Sequence, residues 1–278
     1  MNPEKSMDSE QKANSHLRKG KNVKDLFSLK GKNAVIIGGA GGIGNVISQA
    51  LASFGAEVAI ASRNEESLKK GTARIQEATG KEAAWFQVDA SDPESIRRLA
   101  DKTEEIMGHV DILVNSQGYN KKYTCWEFPL EEWQKHMDLN VTGVMVASVE
   151  FARRMKERKW GRIINVSSIR GLLAAPGGGG AMAYGTTKAA VNMLTKQLAV
   201  ELAQDGITVN AICPTVVMTP MMKDTMTPEF KAKMEAKIPM GRIATPQDCV
   251  GQVILFASDA GGYLTGHIAG IDGGLASL

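Results

Sequence analysis

The chain has 278 residues, 43% of them hydrophobic and 23% charged, values of an ordinary globular protein with room for one large α/β domain. Its net charge of +3 belongs to one end: residues 1–24 carry six Lys/Arg against three Asp/Glu, and the remainder carries 27 of each. A neutral body argues against a nucleic-acid binder, no apolar run approaches the ~18 residues of a membrane span, and Cys125, Cys213 and Cys249 form neither a disulfide framework nor a metal pair, which fits a reducing, cytoplasmic setting.

In chain order, residues 1–24 hold only Met1, Met7, Ala13, Leu17 and Val23 as apolar side chains. That stretch lacks periodicity and reads as a mobile, solvated extension, with residues 25–278 as one domain. From Leu29 short Val/Ile-rich runs alternate with helical segments. Strands are predicted at 33–37, 58–61, 83–88, 111–115, 162–166, 208–212 and 266–271. Helices are predicted at 43–54, at 64–78, from an Asp92 N-cap with Pro93 in the first turn, at 130–157 and at 184–205. The connections are too long for hairpins. The pattern predicts an α/β fold, a single doubly wound parallel sheet with helices on both faces.

The first strand runs into Gly38-Gly39-Ala40-Gly41-Gly42-Ile43-Gly44, followed by a helix. Glycine is needed where backbone turns sharply against a pyrophosphate, and the helix N-terminus offers free N–H groups to it. The second strand ends at Ser62-Arg63. A carboxylate there would grip the ribose 2′-hydroxyl of NAD; serine and guanidinium suit a 2′-phosphate instead. The expected cofactor is therefore NADP(H).

The glycine segment, Gly38-x-x-x-Gly42-x-Gly44, resembles the fingerprint of the classical short-chain dehydrogenase/reductase family. The resemblance continues in order from about Leu29 to Gly274. Asp89-Ala90 resembles the family's adenine-side pair, and Asn115-Ser116-Gln117-Gly118 its NNAG. Asn140 resembles its helix asparagine, Pro214 to Thr219 its segment beside nicotinamide, and Ile271-Asp272-Gly273-Gly274 its VDGG. It implies a Rossmann-type fold, with Gly38, Gly42, Ile43, Gly44, Ser62, Arg63, Asp89, Ala90, Asn115, Gly118, Val217 and Thr219 at the cofactor. Three departures stand out: Ile37 for the fingerprint threonine, Gln117 for a small residue, and Thr215 for glycine.

Tyr184 and Lys188 lie four apart, on one face of a helix, after a strand ending in Val166-Ser167-Ser168. The family resemblance makes Tyr184 the proton carrier, Ser168 the hydrogen-bond partner of the substrate oxygen, Lys188 the holder of the nicotinamide ribose, and Asn140 the holder of a water linking Lys188 to solvent. Tyr184 and Lys188 thus also belong to the cofactor site. A phenol near pKa ~10 is a poor base, so Lys188 and an oxidised nicotinamide are expected to lower it. Ser168 and Tyr184 stand further apart than is usual in the family, the excess falling at Gly177–Gly180, a predicted surface bulge.

His16, His109, His136 and His267 are scattered, so no metal site is expected. The substrate pocket is expected between Gln117–Lys122, Arg170, Gly177–Met182 and residues 215–240. Lys121, Lys122 and Arg170 are candidate partners for a substrate carboxylate or phosphate. The stretches 167–171 and 210–215 resemble members acting on sugar acids and polyols, such as gluconate 5-dehydrogenases, which points to a small-molecule hydroxy-acid substrate. Met218, Met221, Met222 and Met226 point the other way, toward 3-oxoacyl-thioester reductases or hydroxysteroid dehydrogenases. A non-catalytic NADP-sensing protein on this fold is the remote alternative. The resemblance also implies a homotetramer built on residues 130–157, 184–205 and 266–274.

Overall fold

Residues 22–174, 180–219 and 226–278 are described by the computed structural model. Residues 1–21 of the predicted extension, most of the glycine bulge (175–179) and Met221 with Met222 lie outside the described residues. Residues 22–24, assigned to the extension, instead open a 3-10 turn, Val23–Phe27, capped by Asn22.

Seven strands form one sheet: β1 Asn33–Ile37, β2 Glu57–Ser62, β3 Ala84–Gln87, β4 Ile112–Asn115, β5 Gly161–Val166, β6 Ile207–Pro214 and β7 Ile268–Ile271. Their order is β3-β2-β1-β4-β5-β6-β7, and every neighbouring pair is parallel. The chain leaves β1 toward β2 and returns to β4 on its other side. The carboxyl ends of β1 and β4 therefore flank a topological switch point, where open α/β sheets bind ligands.

Eight helices are present among the described residues: α1 Gly42–Ser53, α2 Glu65–Thr79, α3 Pro93–Met107, α4 Leu130–Met137, α5 Gly143–Lys156, α6 Met182–Leu202, α7 Pro228–Glu235 and α8 Val250–Ala257. Asp92 caps α3 through the Glu94 N–H, with Pro93 in the first turn, as its sequence predicts. One core layer joins Leu51 of α1, Leu68 and Ile75 of α2 and Val253 and Phe256 of α8 to one face of the sheet. The other joins Ile96 and Leu99 of α3, Phe151 and Met155 of α5 and Leu198 of α6 to the opposite face. Both faces are thus covered, which is why β1, β5 and β6 are buried along their whole length without alternation.

The structure departs from the sequence-based elements in three places. The predicted helix 130–157 is two helices joined by a π-turn, Asp138–Thr142. The last strand begins at Ile268 rather than Gly266. The helices α7 and α8 were not expected; α8, with the sequence VGQVILFA, has too few polar positions to show a helical period.

Candidate active site

The glycine turn is shaped by close backbone contact. A Cβ on Gly38 would stand 2.7 Å from the Ser116 carbonyl, and one on Gly44 would collide with the carbonyl oxygen of Gly38. Gly38 and Gly42 have φ of 83° and 54°, where glycine alone is unstrained. No side chain caps α1, and its first turn holds no acid, so its leading N–H groups suit an anion. Two residues that no motif indicated brace the turn. Asn45 Nδ2 donates to Gly39 O at 3.0 Å and to Gly71 O at 3.1 Å, and Arg74 Nη2 donates to Ala40 O at 2.5 Å.

Around this turn lie the other residues expected at the cofactor. Ile43 is partly buried against the core. The Thr219 methyl is 3.6 Å from a Cβ placed on Gly42, which sets Thr219 over the start of α1. Val217 is buried and bridges to Ala244. At the end of β2, Ser62 is half-buried and Arg63 exposed. Asp89 accepts hydrogen bonds from Ser91 N and Oγ; these, with a smaller contribution from the Arg63 charge, hold its carboxyl below the usual range. The Ala90 carbonyl packs against Gly143 at the start of α5, where any Cβ would collide with it. Asn115 is turned inward: Nδ2 donates to Ser148 Oγ at 3.1 Å and to Asn165 Oδ1 at 2.9 Å. Through Nδ2 its side chain braces β4 to β5 and α5, and its Oδ1 is buried without a hydrogen-bond partner.

The predicted chemical residues meet where β5 and β6 end and α6 begins. Ser168 is 8% exposed and its Oγ accepts from Arg170 N at 3.1 Å. Lys188 is buried, and Nζ donates to Val166 O at 2.8 Å and sits 5.6 Å from the Tyr184 ring centroid. Burial pushes its ammonium down to about 8. Burial pushes the Tyr184 phenol up, while a hydrogen bond from Ser168 pulls it back. In the protein alone Lys188 is engaged on Val166 and burial is the larger influence on the phenol; the lowering expected from Lys188 together with an oxidised nicotinamide belongs to the cofactor-bound site. The thiol of Cys213, fully buried beneath this group, lies within 3.6 Å of Asn192 Oδ1.

Asn140, in the π-turn, uses its whole side chain. Nδ2 donates to Tyr119 O at 2.9 Å and Thr187 Oγ1 at 3.0 Å, and Oδ1 accepts from Tyr119 N at 2.8 Å. Beyond Tyr119 is a cluster that the sequence did not reveal. Tyr119 OH donates to Glu132 Oε2 at 2.6 Å, and Lys121 N donates to His136 Nε2 at 3.2 Å. The Tyr119 hydrogen bond, helped by Lys135, holds the Glu132 carboxyl down at about 2. Glu132 and His136 at i and i+4 on α4 were its only sequence signal. No group of three or more possible metal ligands exists among the described residues, and no helix among them is long and apolar enough to cross a membrane.

A glycine turn at the switch point, with serine, tyrosine and lysine beyond it on the same sheet edge, defines a dinucleotide-dependent oxidoreductase site. The chain belongs to the short-chain dehydrogenase/reductase family: a family model described as enoyl-(acyl carrier protein) reductase matches residues 38–276. It is 34% identical over 255 residues to the 5-keto-D-gluconate 5-reductase of Escherichia coli K12, covering 91% of this chain and 98% of that one. It is 32% identical over 249 residues to a 3-oxoacyl-acyl-carrier-protein reductase of Aquifex aeolicus, covering 90% and 99%. The crystal structure of a gluconate 5-dehydrogenase from Burkholderia cenocepacia, in complex with NADP and tartrate, superposes with a TM-score of 0.86 at 31% identity, covering 92% of this chain and all of that one.

Proposed function

We propose that this protein is an NADP(H)-dependent reductase that interconverts a ketone and a secondary alcohol on a small sugar acid or polyol. The observation that carries the reading is the convergence of buried Ser168 and Lys188 on Tyr184, with Lys188 Nζ 5.6 Å from the Tyr184 ring centroid, beside a glycine turn that fits a pyrophosphate. When bound, the cofactor supplies or takes up the hydride. Ser168 Oγ orients the substrate oxygen and stabilises the charge that develops on it. Tyr184 OH delivers the proton to that oxygen, and a protonated phenol is already the form that reduction needs. The Lys188 ammonium holds a ribose and replenishes the tyrosine proton. Ser62 and Arg63, with no carboxylate at the end of β2, favour the 2′-phosphate of NADP(H).

The rim narrows the substrate argument. Lys121 Nζ pairs with Glu132 at 3.5 Å, and Arg170 Nη1 donates to Ala174 O at 2.8 Å. Among the described residues Lys122 has no ion-pair partner, and it supplies the rim cation for a carboxylate. The names of the 5-keto-D-gluconate reductase and the gluconate 5-dehydrogenase support the same substrate class. The test compares kcat/KM for 5-ketogluconate, an acetoacetyl thioester and a ketosteroid with NADPH. The sugar acid is expected to win; a clear win for either apolar compound overturns the substrate and leaves the chemistry standing. The exposed Met145 on α5, Met193 and Val200 on α6 and Tyr263 before β7 fit the surfaces of a homotetramer, and a single-chain mass in light scattering would contradict that assembly.

A further inference from the structure

Between the glycine turn and the lysine runs a short stretch, Ser116-Gln117-Gly118, that does more than close β4. The Gln117 backbone nitrogen lies 2.8 Å from where a Cβ on Gly38 would stand, and Ser116 Oγ lies 3.1 Å from the equivalent position on Gly44. One residue further, a Cβ on Gly118 would be 3.8 Å from Lys188 Nζ. Gln117 therefore stands midway along the edge that connects the phosphate turn to the reacting centre, the path a bound dinucleotide must follow.

Its side chain is 8% exposed, and both Oε1 and Nε2 are buried without a hydrogen-bond partner. Buried amides are almost always paired, because an idle one forfeits its hydration with no return. In the motif that residues 115–118 resemble, this place belongs to a small residue, so neither the fold nor the family's chemistry requires an amide here. The two idle ends are a donor and an acceptor about one carboxamide apart. That pair does not match a pyrophosphate, which only accepts. It matches a group that donates and accepts together.

We propose that Gln117 is an additional cofactor-binding residue, whose carboxamide pairs with a ribose hydroxyl or the adenine edge of the bound dinucleotide. The proposal rests on the dinucleotide reading of the site. With three rotatable bonds, Gln117 can turn its amide toward the nucleotide without moving the backbone that packs on Gly38. The cost of the idle amide falls on the ligand-free protein, and the gain appears only on binding.

The two states give opposite signs, which makes the test sharp. Gln117→Met keeps the bulk and removes the amide; Gln117→Ala removes both. Melting temperature without ligand and Kd for NADPH and for 2′,5′-ADP are measured for each variant and for the unaltered protein. The Met variant is expected to melt at or above the unaltered protein and to bind NADPH about 3- to 10-fold more weakly, the range for one neutral hydrogen bond. A parallel weakening of 2′,5′-ADP assigns the partner to the adenosine half; unchanged 2′,5′-ADP assigns it to the nicotinamide ribose. Unaltered NADPH affinity in the Met variant overturns the proposal, as does a loss confined to the Ala variant, which would mark simple packing. So does a lower melting temperature in the Met variant, which would mean that the amide is already satisfied. An unaltered protein that binds neither nucleotide overturns the cofactor reading itself, and is told apart because it precedes any variant.

Discussion

Two neighbouring regions of this protein are built on different principles. Along the crest of the sheet, from Gly38 to Gly44 and from Ser116 to Gly118, backbone rests on backbone, and a single methyl at Gly38 or Gly44 would displace main chain. At the rim, from Tyr119 to Leu130, side chains hold the chain through the Tyr119–Glu132 hydrogen bond and the tilted and edge-to-face ring contacts of Tyr119, His136, Phe128 and Tyr123. Large apolar groups are left outside, with Trp126 92% and Leu130 79% exposed. At Gly38 and Gly44 the crest has almost no freedom to vary. The rim is held by side chains, which can be exchanged one at a time.

The contrast is tested most severely beside the crest, at the start of α6. Tyr184→Phe keeps the ring and removes the proton carrier. Turnover is expected to fall by at least ~100-fold, the lower range for general acid–base catalysis, while NADPH titration shows affinity within about twofold. A variant retaining most of its turnover would remove Tyr184 from the mechanism. Arg63→Ala comes next. Loss of a charge-assisted bond to a 2′-phosphate is expected to weaken NADPH by about 5- to 100-fold and to leave NADH nearly untouched. Equal effects on both cofactors, measured by fluorescence quenching, would dissolve the proposed preference.

The smallest effect is expected at the rim. Glu132→Gln should raise the KM for the ketone several-fold and leave the NADPH Kd unchanged, since Glu132 reaches the site only through Tyr119 and Lys121. It should also alter the acid limb of stability. The Glu132 carboxyl is held down at about 2, below its value of ~4.3 in an unfolded chain. Its contribution is complete above the unfolded value and is lost as pH falls toward the folded one. The gap in melting temperature between the unaltered protein and Glu132→Gln should therefore be widest near neutrality and close between about pH 4.5 and 2. A gap that widens on acidification would refute the assignment.

The crest was legible in the sequence because its constraints are local. Glycine at 38, 42 and 44, a short apolar strand before them and a helix after them leave few alternatives, and β1 and α1 fall within a residue of their predicted limits. Tyr184 and Lys188 were legible by spacing, and the structure joins them to Ser168 across the long stretch between. The braces were not legible. Asn45 and Arg74 hold the glycine turn from α1 and α2, but on their own helices they look like any surface polar residue. The π-turn at Asp138–Thr142 was invisible, since no propensity marks it; it follows from Asn140 finding its partners on Tyr119 and Thr187, far away in sequence. The burial that raises the Tyr184 phenol in the protein alone was not legible, because it depends on what covers the ring, which the local pattern does not contain. Lys121 likewise appeared as a cation free for substrate until α4 brought Glu132 beside it.

Asn140 has a consequence that reaches past the site. Its one amide clasps both the N–H and the carbonyl of Tyr119 and holds α6 through Thr187. A single side chain thus does for this junction what a neighbouring strand does for a sheet edge. Downstream of the clasp, Lys122 and Tyr123 pack against Gly180 just ahead of α6, so closely that a Cβ on Gly180 would stand 2.9 Å from Tyr123 O. The clasp thus fixes where the rim leaves the sheet edge, and the contact at Gly180 ties that rim to the helix that carries Tyr184 and Lys188.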